Sequence, residues 1–234
     1  MPPSPPPPRT SAPATSPSAD ASDAAPPLAA ARAPARAAAA PAPARAERAD
    51  KVRNRARIVA AATQAFAETG TATQMDDVAA RAGVAVGTLY RHFATKDALM
   101  TAIVEPTKRT LLDLLRQAAA REDVEPFDAL AKVLVRHTEL LRQDRAAKAA
   151  LLGGGEAVWA GLADVVADCD ATFALLVERA QAAGAVRRDV GAGDVWRAAC
   201  GVVAVMDEGD AWRRHLTIVL DGIAARGGPA PARP

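Results

Sequence analysis

Residues 73–93, TQMDDVAARAGVAVGTLYRHF, carry the most informative pattern in this chain. It reads as two short helices joined by a turn at Gly83, where a glycine permits a backbone conformation that a side chain resists. Ala79 is small enough to let the two helices cross closely. Their shared apolar core is expected to come from three residues, Val78, Val84 and Leu89. This spacing predicts a helix-turn-helix.

Longer helices are predicted on both sides of this motif. Residues 51–68 carry apolar side chains at i, i+3, i+4, i+7 and i+8, which gives one buried stripe: Ile58, Ala61, Ala62, Ala65 and Phe66. Thr73 is predicted to cap the helix that follows, and Thr95 the next long helix. That long helix covers residues 96–121 and contains Pro106, a residue able to bend it.

The rest of the chain is predicted to be helical as well. Pro126 begins one helix, glycines at 153–155 interrupt the chain, and residues 156–183 read as a single helix of about 42 Å. Asp194 and Asp210 start the last two helices, which are apolar on more than one face and predict a homodimer through them. The fold class is therefore all-α: an N-terminal three-helix helix-turn-helix head and a C-terminal helical dimerisation bundle.

The two ends of the chain have a different composition. Residues 1–50 hold 13 of the 18 prolines and carry one large aliphatic residue, Leu28, after Met1. Too little apolar surface is present there to offset the entropy of ordering. We expect a solvated Ala/Pro-rich tail, with a weak nucleic-acid arm or an upstream start codon as alternatives, and another such tail over residues 227–234. The predicted domains are then 51–104 for the DNA-binding head and 105–226 for the body.

Charge and composition indicate which partners and which cellular compartment to expect for this chain. The net charge is only +2, but residues 51–104 carry seven basic and four acidic side chains, a local excess of +3. No apolar run reaches the roughly 20 residues that span a bilayer, and no secretory signal pattern is present. Cys169 and Cys200 stand alone, which favours free thiols in a reducing compartment. We expect a cytoplasmic, nucleoid-associated protein with no membrane contact, no metal and no cofactor.

Residues 55–104, RARIVAAATQAFAETGTATQMDDVAARAGVAVGTLYRHFATKDALMTAIV, resemble the DNA-binding head of the TetR (tetracycline repressor-like) family. The segment GVAVGTLYRHFATKDAL, residues 83–99, is the most specific part. GAVRRDV at 184–190 and LTIVLDGI at 216–223 also resemble phrases near the end of such proteins. The resemblance implies a bacterial transcriptional regulator, a ligand-released repressor that binds a palindromic operator in double-stranded DNA as a dimer.

The resemblance also implies which residues meet DNA. The third helix enters the major groove, and its first residues lie at base edges or near phosphates: Ala85, Val86, Gly87 and Thr88. Phosphate contacts are implied for Thr73, Gln74, Tyr90, His92 and Lys96. Val86 offers only a methyl contact to thymine, while Thr88 is able to hydrogen-bond. We therefore expect a modest direct code, with some specificity from DNA shape.

Each of these residues also has a plainer interpretation. Tyr90 would then be a half-buried packing residue, and His92 a member of a solvated face together with Arg91. Lys96 would serve only its helix terminus. The arginines at 53, 55 and 57 form either a minor-groove arm or a coat on the first helix.

Effector binding in the body is implied by the resemblance alone. Candidate pocket residues are the large or adaptable side chains on apolar faces: Phe127, His137, Trp159, Phe173, Trp196, Cys200 and Met206. The alternative for each is an ordinary core position. A pocket of this composition predicts an apolar or amphipathic small-molecule effector.

Two other classes of function compete with the regulator. An enzyme is disfavoured because the sequence lacks a GxSxG, HExxH or phosphate-loop motif and any Cys/His metal spacing. A helical ligand carrier or interaction protein, whose head has lost DNA binding, is the remaining alternative. Repression and activation are not distinguished by sequence.

Overall fold

The computed structural model describes residues 43–206 and 209–225, and these fold into α-helices linked by short turns. Of the predicted tails, residues 1–42 and 227–234 lie outside the described residues. The first helix, α1 (Pro43–Thr69), begins at Pro43 and not at Lys51 as predicted. Residues 43–50 read PARAERAD. Proline suits the first helical position, and alanine, arginine and glutamate favour the turns that follow.

The head is built from α1, a 3-10 turn (Gly70–Ala72), α2 (Met75–Ala82) and α3 (Val86–His92). Gly83 follows α2 with φ 62° and ψ 41°, and its N–H donates to the carbonyls of Ala79 and Ala80. The left-handed conformation favours glycine there, which confirms the predicted turn. Val78, Ala79 and Leu89 are fully buried, and Ile58 and Phe66 of α1 are buried in the same core.

Thr73 does not cap α2, contrary to the prediction. Gln74 occupies the N-cap position, and no side chain accepts a hydrogen bond there. Thr73 is buried; its hydroxyl lies 2.8 Å from the carbonyl oxygen of Gly70 and 2.7 Å from the hydroxyl of Thr69. The 3-10 turn, which the apolar pattern did not predict, directs this side chain inward. The cap predicted at Thr95 is confirmed, since its hydroxyl accepts the N–H of Ala98 at 3.1 Å.

The body contains seven helices within the described residues: α4 (Lys96–Ala120), α5 (Pro126–Gln143), α6 (Arg145–Gly153), α7 (Glu156–Ala160), α8 (Ala163–Ala182), α9 (Ala192–Val205) and α10 (Ala211–Ile223). α4 contacts α1 in the head and α5, α6, α7 and α8 in the body. It begins four residues after α3 ends, so one continuous helix joins the recognition motif to the bundle core.

The predicted single helix over residues 156–183 is wrong. It is interrupted at Gly161 and Leu162, which separate the five-residue α7 from α8. A Cβ at position 161 would lie 2.9 Å from Cγ2 of Thr101. The glycine therefore lets the end of α7 approach α4 closely, an arrangement that helical periodicity does not reveal.

The last helices close the bundle and leave part of their apolar surface uncovered. α9 and α10 pack on each other and on α5. The end of the chain is held to the segment after α8, because the N–H of Arg187 donates to Ile223 and that of Ala225 to Ala185. Trp212, Leu216 and Leu220 of α10 are buried, whereas Ile218 and Val205 remain exposed.

Candidate functional site

The outer face of α3 is open to solvent over most of its predicted contact residues. Ala85, Gly87 and Tyr90 are exposed; Val86 and Tyr90 keep 41% and 46% of their accessible surface. Leu89, on the opposite face, is fully buried. One seven-residue helix thus separates a core-forming side from a side available to a partner.

Gly87 is the clearest feature of this open face. A Cβ added there would have no heavy atom within 4 Å, and the residue lies within an ordinary helix. Neither packing nor backbone conformation requires glycine at this position. A small residue here leaves space for a close approach by something outside the protein.

Thr88 and Arg91 form a hydrogen-bonded pair on this helix. An Nη of Arg91 donates to the Thr88 hydroxyl at 2.9 Å, and the pair is exposed. Both side chains line a groove of about 480 Å³ between α1 and α3, together with Glu47, Asp50, Lys51, Asn54 and His92. The arginine therefore adds a cation beside the hydroxyl that was predicted to contact DNA.

His92 lies in positive surroundings. Partial burial lowers the pKa of its imidazole below the ordinary value of 6.5, and the nearby cations Lys51, Arg55 and Arg91 lower it further. Arg55 is also stacked over the ring of Phe93, 5.1 Å from its centroid. Cations from two helices thus act on one imidazole, which is the electrostatic setting that a phosphate would relieve.

The other residues predicted to contact phosphate differ in exposure and in their hydrogen bonds. Gln74 is exposed, and its amide donates to the carbonyl of Ala72 at 2.8 Å. Lys96 is half-buried; its ammonium donates to the carbonyl of Thr71 and lies over the Phe66 ring. Thr73 is the exception, because its hydroxyl is buried and already hydrogen-bonded.

Arg57 has a structural role that the sequence left open. Its guanidinium donates to the carbonyls of Ala82, at 2.6 Å, and Gly83, at 3.3 Å. It therefore ties α1 to the turn of the helix-turn-helix motif. Arg53 pairs with Asp50 along α1, so the three arginines do not share one function.

The body brings four of the seven predicted pocket residues into one cluster. Trp196 of α9 meets His137 edge-on, with ring centroids 4.9 Å apart, and Phe173 at 5.3 Å. Trp159 of α7 belongs to the same cluster, because the ammonium of Lys108 lies over both its ring and that of Trp196. Lys108 was not among the predicted pocket residues.

Lys108 lies at the centre of this cluster. Its ammonium is 5.2 Å from the Trp159 ring centroid and 5.5 Å from that of Trp196. The residue is only 6% exposed, and within the described part of the chain its ammonium forms neither a hydrogen bond nor an ion pair. Burial lowers the pKa of this ammonium, although nearby Cys200, Cys169 and Asp170 oppose the shift.

A signal for Lys108 was present in the sequence. Val104, Lys108, Leu111 and Leu115 follow the i, i+4, i+7, i+11 spacing of a buried helical stripe, and all four are buried. A lysine in such a stripe is a departure from ordinary patterning. The predicted pocket consisted of large or adaptable side chains on apolar faces, so it did not include this charged residue.

His137 resembles Lys108 in lacking a partner. It is 7% exposed, and its ring nitrogens have no hydrogen bond within residues 43–206 and 209–225. Burial lowers its pKa to about 3, with a smaller contribution from the Lys108 cation. The imidazole is therefore neutral at physiological pH.

The other candidate pocket residues are distributed over the body. Cys200 is half-buried, and its thiol interacts electrostatically with Lys108; burial raises the pKa of that thiol. Phe127 is buried at the start of α5. Met206 instead lines a separate groove of about 580 Å³ with Phe66, Arg142 and Lys148. The residues predicted to line one pocket therefore lie in more than one part of the body.

Neither a metal-binding group of side chains nor a membrane-spanning helix is present within the described residues. Within 43–206 and 209–225 no group of three His, Cys, Asp or Glu side chains is arranged to hold a metal ion. In the same ranges, no helix combines the length and apolarity needed to cross a membrane.

Family models match both halves of the chain. Residues 58–103 match the family described as bacterial regulatory proteins, tetR family. Residues 125–225 match the C-terminal domain described as transcriptional regulator SbtR-like. The first match contains the whole helix-turn-helix motif, and the second contains the body from α5 to α10.

Individual proteins and solved structures are also similar to this chain. The chain is 40% identical over 87 residues to the HTH-type transcriptional repressor Rv3405c of Mycobacterium tuberculosis, which is 37% of this chain and 43% of that protein. A TetR transcription regulatory protein from Mycobacterium vanbaalenii is 33% identical over 76% of this chain and 99% of its own, with a TM-score of 0.48. GusR of Salmonella enterica is 26% identical over 72% and 92%, with a TM-score of 0.55. The chain spans less than half the length of the curated relatives it matches.

Proposed function

Because the chain belongs to the TetR family of bacterial regulatory proteins, we propose that it is a transcriptional repressor that binds a palindromic operator as a homodimer and is released by a small molecule. Its family and relatives are transcriptional regulators and not enzymes. DNA binding of this kind would associate the protein with the nucleoid.

The observation that carries this proposal is the open face of α3. In a helix-turn-helix protein the second helix of the motif lies in the major groove. Here that helix exposes Val86, Gly87 and Tyr90. We assign Ala85, Val86, Gly87 and Thr88 to base edges and adjacent phosphates, and Tyr90, His92, Lys96 and Gln74 to the DNA backbone. Thr73 is left out because its hydroxyl is buried and satisfied inside the head.

The dimer is proposed to form through α9 and α10. Val205 and Ile218 remain 70% and 59% exposed. Gly201 and Gly222 lie on the same two helices, and a Cβ on either would have no heavy atom within 4 Å. Small residues beside exposed aliphatic ones permit close helix packing, and a two-fold pair of bodies would present two equal recognition helices.

Release is proposed to act through α4. This helix starts at the recognition motif and carries Lys108 within the aromatic cluster of the body. TetR regulators bind DNA and small-molecule effectors. An effector that binds beside Lys108 would shift α4 and thereby change the spacing of the two heads. The energy for this shift must come from tighter binding to the released state.

The proposal is tested by selecting bound duplexes from genomic fragments and measuring their affinity by fluorescence anisotropy across a salt series. We expect two protomers per site and an affinity that falls steeply with salt. Tyr90→Ala should weaken binding, whereas Arg188→Ala, an exposed cation outside the head, should not.

Three outcomes would contradict the proposal. These are a selection that enriches no sequence, equal binding to selected and random duplexes, and binding by Tyr90→Ala as tight as that of the unaltered protein. Either of the first two would favour a helical ligand-binding protein whose head no longer reads DNA, and the third would remove Tyr90 from the proposed interface. Sedimentation analysis of Ile218→Lys, expected to be monomeric, tests the dimer separately.

A further inference from the structure

The Lys108 cluster combines features that an ordinary hydrophobic core lacks. Lys108 and His137 are both more than nine-tenths buried, and neither side chain forms a hydrogen bond or ion pair within the described residues. Both contact the ring of Trp196. An uncompensated buried cation is costly, because the aromatic faces replace only part of its hydration.

None of the described side chains near Lys108 neutralises its ammonium. Asp170 on α8 influences the Lys108 ammonium but does not pair with it. The thiols of Cys169 on α8 and Cys200 on α9 both have raised pKa values, because burial opposes their ionisation. His137 on α5 is neutral. The site therefore has one cation and no compensating anion within hydrogen-bonding distance among the described side chains.

We propose that the effector is a small monocarboxylic acid with a flat apolar or aromatic body, whose carboxylate pairs with Lys108. The body of the acid packs between Trp159 and Trp196, and the neutral imidazole of His137 supplies a further hydrogen bond. A doubly charged phosphate fits less well, since a single ammonium would leave part of its charge buried and unpaired. A neutral ligand would leave the ammonium of Lys108 without an ionic partner.

The position of the cluster explains how such an acid would enter and act. Trp159 is 39% exposed and lies on the five-residue helix α7, so it forms the boundary between Lys108 and solvent. Lys108 belongs to α4, which leads to the recognition motif. The regulatory consequence rests on the proposed function, whereas the preference for an acid rests on the cluster alone.

Matched pairs of acids and their primary amides test the proposal: 2-naphthoate with 2-naphthamide, indole-3-acetate with indole-3-acetamide, and benzoate with benzamide. The full chain is titrated without DNA, and quenching of tryptophan fluorescence is measured. At least one acid should bind about tenfold more tightly than its amide, which corresponds to about 1.4 kcal/mol. Lys108→Met, which keeps an unbranched side chain and removes the charge, should abolish this preference. Lys132→Met, at an exposed position on α5, should retain it.

The proposal is overturned if every amide binds as well as its acid, if no acid binds, or if Lys108→Met keeps the preference. The acid–amide comparison in the unaltered protein needs no variant, and circular dichroism verifies that both variants fold. Adding the preferred acid to the protein–operator complex should then lower the anisotropy. A protein that binds acids but no DNA would contradict the proposed function and leave the acid site supported.

Discussion

In the head, the small and polar side chains proposed to meet DNA lie on the surface of α3, whereas in the body Lys108 and His137 are buried among aromatic rings. The head already satisfies its internal polar groups: Thr73 bonds Gly70, and Arg57 bonds Ala82 and Gly83. In the body, the side chains of Lys108 and His137 form no hydrogen bond within the described residues, and Nε of Arg142 and Nε1 of Trp212 are also buried without a hydrogen-bond partner there.

The head and the body therefore differ in how their binding residues affect the stability of the free protein. A surface helix makes its contacts at no cost to the free protein, so its binding residues are replaceable without loss of stability. A buried polar group destabilises the free protein until its ligand arrives, so its replacement should stabilise the fold while removing function. Single substitutions in the head and in the body test this contrast.

The two faces of α3 should respond oppositely to truncation. Leu89→Ala removes a fully buried side chain and should reduce the free energy of unfolding by about 3 kcal/mol. Val86→Ala, on the exposed face, should change it by less than about 0.5 kcal/mol while weakening operator binding. Urea denaturation measures both, and equal destabilisation would refute the two-faced description of this helix.

His137 should make the body sensitive to acid. Its pKa is about 3 in the folded chain and near 6.5 when unfolded, so the unfolded state binds an extra proton between these values. Stability is therefore lost as pH falls below 6.5, by about 1.4 kcal/mol per pH unit. His137→Gln should remove this slope, and His215→Gln, at an exposed position, should not. Identical slopes in all three proteins would show that His137 is not buried as described.

Lys108→Met should stabilise the free protein. Removing a buried cation without an ionic partner is expected to raise the free energy of unfolding by roughly 1–3 kcal/mol. Thermal denaturation without ligand measures the change, with Lys132→Met as the surface control. A destabilised Lys108→Met protein would mean that the two tryptophan rings compensate the ammonium fully.

Gly87→Ala should separate binding from stability within the head. The added methyl group meets open space, and alanine favours the helix by about 0.5–1 kcal/mol. Operator affinity should nevertheless fall, by about tenfold, if DNA approaches the backbone at this point. Unchanged affinity in the anisotropy assay would remove Gly87 from the interface.

The smallest effect is expected at His92. Its pKa is lowered in the free protein by burial and by Lys51, Arg55 and Arg91. A bound phosphate would raise it, so DNA binding should take up protons and strengthen as pH falls from 8 to 6. We expect a change of about twofold to threefold, absent in His92→Asn. A dependence of the opposite sign would place His92 away from phosphate.

The predictable features of the head were local in sequence. The spacing of Ala79, Gly83 and Leu89 sufficed for the helix-turn-helix, because the crossing of two adjacent helices depends on a few nearby residues. The structure confirmed the left-handed Gly83 and the Thr95 cap. The failure at Thr73 arose because a 3-10 turn moved the cap by one residue.

What the sequence determined by itself was the all-helical class, the recognition motif and the exposed face of α3, since each follows from periodicity and turn chemistry within about 20 residues. The tertiary structure alone decided the break at Gly161 and the meeting of Lys108 with Trp159 and Trp196. These features depend on how α4, α7 and α9 pack together. Contacts between helices distant in sequence are governed by shape and burial, and no local pattern specifies them.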